Sequence, residues 1–403
     1  EVVRPLCGGV HRLAGEAGAV LDALASRLTG ADRGSRELVS AAEAAAGWAP
    51  GRAEVWAALD RAIPADAVVA LEPGEILDAA FFHLAPRERT FTSSYVHGAR
   101  AYALPATMAA SIAFPGRQAI GLATGDGVAE AAAEVLTVRK YGLPVRLVVL
   151  GPERTPGRAV LDWAAYARAS GVEARDASDP AGLERALGEA LATKGPALVQ
   201  GPPPADPDPP IEVRSPGSGT FASSLVELLA RAGVDRVYGR MRPALAPFAR
   251  ALEADGRVRF VPVLFSESAS MMATARGKRT GRPGVCVAAD GSDLLSMSNG
   301  LYDAQLDHSP VVVLTFPGPG ARGTPSSGLA VDPHRLLADV AASSQPVEPG
   351  PLAATRIAHA LQESARRRTV THLALDWARL GEASPAPGEA LDAKAAPELL
   401  LPP

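Results

Sequence analysis

Cysteine is nearly absent: Cys7 and Cys286 are the two in 403 residues, and they stand in unrelated contexts. That excludes a disulfide framework and a cysteine-ligated metal site, and a reducing compartment fits best. No charge of one sign dominates. Lys plus Arg number 40 and Asp plus Glu 44, a formal charge of -4, so neither nucleic acid nor an anionic membrane is an expected partner. Although 47% of the residues are hydrophobic, no apolar run approaches the roughly 20 residues that span a bilayer. The chain opens at Glu1 with no basic-then-apolar leader, and the expectation is a cytoplasmic protein. Neither a P-loop nor a G-x-S-x-G nucleophile elbow is found, and the seven histidines show no HExxH or comparable spacing. No G-x-G-x-x-G follows an apolar run, which ranks NAD binding low.

What is present is length enough for two or three domains and a regular alternation. Residues 1–50 hold two Ala-rich helical stretches, near 12–29 and 36–47, without a chemical constellation. From about 52, short apolar runs (AVVAL at 67–71, QAIGLATG at 118–125, VRLVVLG at 145–151, ALVQG at 197–201) alternate with helical segments such as 129–140, 157–170 and 180–192. Strands of this kind belong to a parallel sheet covered on both faces by helices. The stretch 201–219, GPPPADPDPPIEVRSPGSG, propagates neither helix nor central strand and reads as a linker. A second α/β pattern follows over 220–380, with strands near 235–239, 258–265, 284–290, 311–316 and 371–377. Helices fall near 221–232, 242–253, 267–278 and 352–365, and 381–403 reads as an irregular tail.

One turn stands out chemically. Gly125-Asp126-Gly127 directly follows an apolar run, at the carboxyl end of a strand where open parallel sheets bind ligands. The following helix offers free amides to an anion, the glycines let a backbone come close, and Asp126 can ligate a divalent ion that bridges to a diphosphate. An ordinary strand-to-helix turn would look the same over three residues.

The surrounding text decides more. FTSSYVHGARAYALPATMAASIAFPGRQAIGLATGDG at 91–127 and EVLTVRKYGLPVRLVVL at 134–150 resemble the diphosphate-binding domain of thiamine diphosphate enzymes of the acetolactate synthase, pyruvate oxidase and benzoylformate decarboxylase type. The segments 233–263, TGRPGVCVA at 280–288 and NGLYDAQLDHSPVVVLT at 299–315 resemble the pyrimidine-binding domain of the same family. The resemblance covers roughly 330 residues by this reckoning and implies an α/β fold of two thiamine diphosphate-binding domains, each a parallel sheet flanked by helices. It further implies thiamine diphosphate with Mg2+, a 2-oxo acid substrate, lyase or carboligase chemistry, and a homo-oligomer, dimer or tetramer, with the cofactor shared between subunits.

Several departures accompany it. The diphosphate-binding domain comes first, the reverse of the usual order, and no middle domain separates the two, which makes FAD an unlikely cofactor. The family's Asn pair, one amide of which completes the metal site, falls on Gly151 and Pro152, leaving Asp126 as the metal ligand with backbone carbonyls, water or Glu153 as a substitute. The family Glu that activates the cofactor falls on Ser266. Its neighbour Glu267 is the only nearby candidate for that task, provided the local register shifts by one. Leucines in Gly291-Ser292-Asp293-Leu294-Leu295-Ser296 replace small lining residues. In the first domain Ser94, Tyr95, Val96 and His97 stand where relatives show a Ser-Gly-Gly-Leu type run, with Gly98 retained. The cofactor-binding candidates are therefore Gly125, Asp126, Gly127, Ser94 and Gly98, and the catalytic candidates are Glu267 and His97. A surface histidine is the bland alternative for His97. So many simultaneous losses also fit a catalytically silent homologue that keeps the fold as a binding or structural dimer.

Overall fold

The computed structural model describes residues 51–95, 98–151, 161–204, 219–242, 245–316 and 331–384. The expected helices of residues 1–50, His97, and most of the linker and tail lie outside these residues. The chain divides at 211/212 into two compact units.

The first unit runs through α1 Gly51–Ala62, β1 Val68–Leu71, α2 Glu75–His83, β2 Thr90–Thr92, α3 Ala103–Ala113, β3 Ala119–Thr124, α4 Gly125–Glu130, α5 Glu134–Tyr141, β4 Val145–Leu150, α6 Trp163–Ala169, β5 Glu173–Asp176, α7 Pro180–Leu191 and β6 Ala197–Gly201. Its six strands are parallel, in the order β2-β1-β3-β4-β6-β5. The central β1 and β4 are buried throughout, as strands covered on both faces must be. One face packs Trp56, Leu59, Ile76, Ile120 and Val148, and the other packs Leu104, Val135, Leu147 and Trp163. The helix expected over 129–140 is broken: α4 ends at Glu130 and α5 begins at Glu134, with Ala133 already helical.

The second unit contains α8 Phe221–Arg231, β7 Arg236–Gly239, α9 Ala246–Asp255, β8 Arg259–Pro262, α10 Ser266–Thr280, β9 Gly284–Ala288, α11 Gly291–Ser296, α12 Ser298–Leu306, β10 Val311–Thr315, α13 Pro333–Leu336, β11 Ala341–Val347, α14 Ala353–Arg367 and β12 Val370–Leu375. The order is β11-β12-β10-β9-β7-β8, again all parallel. Counted within its own unit and read from the opposite edge, this is 2-1-3-4-6-5, the order of the first sheet. The unit extends past the boundary expected at 380. The Phe221 amide donates to the Glu382 carbonyl, and the Ser384 amide to that of Gly219, so 381–384 clasp the start of α8 and do not form an irregular tail.

α10 illustrates why these residues form these elements. A Cβ on Gly284 would lie 1.9 Å from the Ala273 carbonyl oxygen, and one on Gly277 2.4 Å from that of Pro310. Glycine at both places lets the helix lie directly on β9, which brings Ser266, at its first turn, to the carboxyl end of the sheet.

Candidate functional site

β3 ends at Thr124, whose extended backbone and side chain cap α4 by accepting from the Gly127 amide at 3.4 Å. Asp126 lies in the first turn, partly buried, where a carboxylate is favoured by the helix dipole. The inner side of this turn is already filled. A Cβ on Gly125 would lie 2.8 Å from the Trp163 indole nitrogen, and one on Gly127 2.7 Å from the Glu72 carboxyl carbon. The protein's own side chains therefore require both glycines, whereas the sequence reading assigned their freedom to an approaching ligand.

Glu72 is the residue that sequence reasoning missed. It follows β1 directly, is 5% exposed, and accepts from the amides of Ala101 at 2.7 Å and Ala103 at 3.0 Å. Burial raises its pKa above the usual carboxylate range, opposed by those two bonds and by Arg100. Arg100 itself donates to Glu130 at 2.6 Å, with both side chains largely buried. Ala101 sits at φ 59, a left-handed conformation that costs a non-glycine residue about 1–2 kcal/mol. Glu72, Arg100 and Glu130 thus form a charged layer behind the Gly125-Asp126-Gly127 turn. The available signal was a lone acid closing an apolar run, VVALE, beside the strand that bears the turn.

Ser94 and Gly98 lie in the loop after β2, at the same carboxyl edge of the sheet. The Ser94 hydroxyl accepts from the Ala99 amide at 2.9 Å and its carbonyl from the Gly98 amide at 3.1 Å, with Gly98 at φ 68. β1 pairs with both β2 and β3, so Glu72 stands between this loop and the turn and ties them together. Ser94 and Gly98, after β2, and Gly125, Asp126 and Gly127, after β3, thus lie at the same carboxyl edge of one sheet.

The metal reading meets a sparse donor set. Gly151, where the family has its first Asn, sits at φ 76, and a Cβ there would be 3.0 Å from Pro203. Its amide donates to the Gly201 carbonyl at 3.0 Å. Among the described residues, no three His, Cys, Asp or Glu side chains converge to hold a metal. Glu72 and Glu130 are turned to partners of their own chain. Glu153 lies outside the described residues; among those described Asp126 is the carboxylate of the turn, so a hard cation, which wants about six oxygens, would take most from a diphosphate and water.

In the second unit β9 runs into Asp290, which caps α11 by accepting from the Asp293 amide at 2.8 Å and pairs with Arg242 at 2.6 Å. Asp293 is 1% exposed and takes the hydroxyl hydrogen of buried Ser266 at 2.7 Å. Burial, then the neighbouring Asp290, raises its pKa, while Ser266, Arg242 and Arg240 oppose the rise. Ser266 therefore holds the inward position. Glu267 is only partly buried and accepts from Asn299 of α12 at 2.6 Å. The register shift that would turn Glu267 inward is not taken. Leu294 is wholly buried within the core.

Comparison with known proteins agrees with this division. The family described as thiamine pyrophosphate enzyme, C-terminal TPP binding domain, matches residues 76–155. Its counterpart, the N-terminal TPP binding domain, matches residues 219–322. The two matched segments are thus similar to the two domains of the thiamine pyrophosphate enzyme family, in the reverse of the order those descriptions give. Among curated proteins, pyruvate oxidase of Lactiplantibacillus plantarum is 36% identical over 93 residues, 23% of this chain and 15% of that protein. The acetolactate synthase isozyme 2 large subunit of Escherichia coli is 36% identical over 94 residues, 23% and 17% respectively. The acetolactate synthase large subunit of Parasynechococcus marenigrum is 31% identical over 108 residues, 26% and 18%. The matched stretches thus cover less than a fifth of each of these relatives.

Proposed function

We propose that the chain is a thiamine diphosphate-binding protein with lyase or carboligase chemistry on a small 2-oxo acid. The observation that carries this is the retained Gly125-Asp126-Gly127 turn at the carboxyl end of β3, in a chain carrying both TPP-binding domains. When bound, the cofactor supplies the carbon nucleophile and electron sink for cleaving or joining bonds beside a keto group. The chain's share is to orient: the backbone of Gly125 and Gly127 receives the diphosphate, Asp126 offers its carboxylate to Mg2+, and Ser94 and Gly98 shape the adjoining loop. Glu72 holds both segments in place through Ala101, Ala103 and its contact with Gly127. Ser266 with Asp293, and Glu267 beside them, are the polar groups of the second domain, and His97 is the candidate proton donor of the first.

Homo-oligomerisation, as a dimer or tetramer, belongs to the same reading. α10 and α12 pack on each other and leave Met271, Met272, Tyr302 and Leu306 exposed, Leu306 by 73%. Apolar side chains in such a cluster mark an interaction surface. A cytoplasmic location also belongs to this proposal. Among the described residues no helix is long and apolar enough to cross a membrane.

A silent homologue is the second reading, favoured by Ser266 at the family Glu position and by buried Leu294. Titration calorimetry of thiamine diphosphate into metal-free protein, repeated with excess Mg2+, separates the two. Magnesium-dependent binding that Asp126→Ala weakens supports the enzyme reading. No heat under either condition, in protein shown to be folded, supports the silent one.

A further inference from the structure

Away from the turns just described, the second unit holds a continuous chain of four polar side chains inside its sheet. Thr315 closes β10 and is 1% exposed; His372, on β12, is wholly buried. The Thr315 hydroxyl meets His372 Nε2 at 2.8 Å. His372 Nδ1 meets the Ser344 hydroxyl, on β11, at 2.7 Å. The same hydroxyl meets Nδ1 of His334, on α13, at 2.7 Å. The imidazole rings of His334 and His372 lie 5.3 Å apart. His334 and Ser344 are partly exposed and His372 and Thr315 buried, so the chain leads from the margin of the fold to the carboxyl end of a central strand.

Proton counting restricts this arrangement to two directions of hydrogen bonding, set by whether His334 Nδ1 carries a proton. Ser344 has one hydrogen and faces two ring nitrogens, so it donates to one histidine and must accept from the other. When His334 is a cation both its nitrogens donate. Ser344 then accepts from it and donates to His372 Nδ1. His372 must in turn carry its proton on Nε2 and donate to Thr315. When His334 is neutral with its proton on Nε2, every arrow reverses: Ser344 donates to His334, His372 Nδ1 donates to Ser344, and Thr315 donates to His372. His372 stays neutral in both states, because burial, then the nearby His334, push its pKa down to about 3.

We infer that His334, Ser344, His372 and Thr315 form a proton-polarity switch, in which protonation of His334 at Nδ1, as in its cation, sets the direction of hydrogen bonding at Thr315. Imidazole is the side chain whose ordinary charge change falls between about pH 5 and 8. The charged groups on the described elements packed around His334 are few. Asp332 caps α13 beside His334, with Arg335 and Asp339 on the same segment. α11, which packs on α13, carries Asp290 and Asp293. On α12, against β12, Asp303 is held by Lys278, and on α14 Glu363 is held by Ser343 and Arg367. Thr315 pairs with Ala288 across the sheet, and β9 leads from Ala288 into the Asp290 turn. The switch thus delivers its signal at the edge where the second domain's buried carboxyls lie, and it stands whether or not a cofactor binds there.

The test is two-bond nitrogen–proton correlation NMR on the full chain with labelled histidine, from pH 8 to pH 5. The expected result is that His372 remains neutral while its proton moves from Nδ1 to Nε2 as His334 becomes cationic. In Ser344→Ala, and in His334→Gln, which keeps a polar group but cannot titrate, the His372 tautomer becomes independent of pH. A His372 tautomer that is the same at both ends of the range in the unaltered chain overturns the inference. So does a tautomer change that persists in both variants.

Discussion

The two domains share one strand order and place the same device after their third strand, yet fill it with opposite charges. In each, a capped six-residue helix follows: α4 after Thr124 and α11 after Asp290. In the first domain, the residue ending the first strand's run is buried Glu72, and the third helical position is Gly127, whose missing side chain makes room for it. In the second, the corresponding residues are buried Arg240, following β7, and buried Asp293. An acid facing a glycine in one domain has become a base acting on an acid in the other. In the first arrangement the buried acid comes from the neighbouring strand and backs a glycine turn; in the second it sits in the turn itself, and in both the ionisable group is interior, where unpaired charge is costly. The same scaffold therefore carries a glycine turn backed by a buried acid in one case and an internal polar network in the other, and fold alone does not say which.

The comparison can be broken most forcefully at Gly127. Gly127→Ala drives a Cβ into Glu72 and is expected to lower stability by about 1–3 kcal/mol, read from the midpoint of chemical denaturation. Glu72→Ala should relieve most of that in the double variant, a departure from additivity that marks direct contact. Simple additivity would show that the two residues do not meet.

In the second domain Asp293→Ala leaves the Ser266 hydroxyl without its acceptor. A loss of about 1–3 kcal/mol is expected, and Ser266→Ala in the same background should cost little more. A large further loss would show that Ser266 has another partner.

Acid dependence sharpens the contrast between the domains. His372 has a depressed pKa in the fold, about 3 against 6.5, so its contribution to stability is present above about pH 6.5 and lost as pH falls toward 3. The slope approaches 1.4 kcal/mol per pH unit in that window, as an order of magnitude. Glu72 has the opposite sign. Its raised pKa means stability is fully present below the ordinary glutamate value and is lost as pH rises through the folded one. Denaturation at pH 4 and 7 checks both: His372→Asn should flatten the acid side, and Glu72→Gln should compare worst with the unaltered chain at the lower pH.

The smallest effect is expected at Ser94, whose hydroxyl is engaged in its own loop. Ser94→Ala should cost about 0.5–1.5 kcal/mol of stability and leave thiamine diphosphate affinity in calorimetry nearly unchanged. A large loss of affinity would show that the hydroxyl also serves the ligand.

The parts of the fold legible in the sequence were those whose environment is uniform. β3, β4, β9 and β10 are buried almost without interruption, and their apolar runs are visible as such. The strands that escaped, β2, β5 and β11, are edge strands. β5 reads EARD, half exposed, and β11 contains two serines and Pro346, which an edge tolerates because one side of it pairs with nothing. The turn at Gly125-Asp126-Gly127 was legible because its glycines are local in sequence. Glu72 was not, because its burial depends on Ala101, Ala103 and Gly127, which converge on it only across the fold. Ser266 and Glu267 differ by one position in the chain, and only the seating of α10 on Gly284 decides which of them is inside.

The contact between Glu72 and Gly127 also constrains how such a sequence can change over time. Any side chain at 127 must find the space behind it vacated, so shortening at 72 has to come first, and lengthening at 72 closes the route back. Two positions more than fifty residues apart are thereby ordered in history as well as in space, and the glycine at 127 is kept for as long as the glutamate remains.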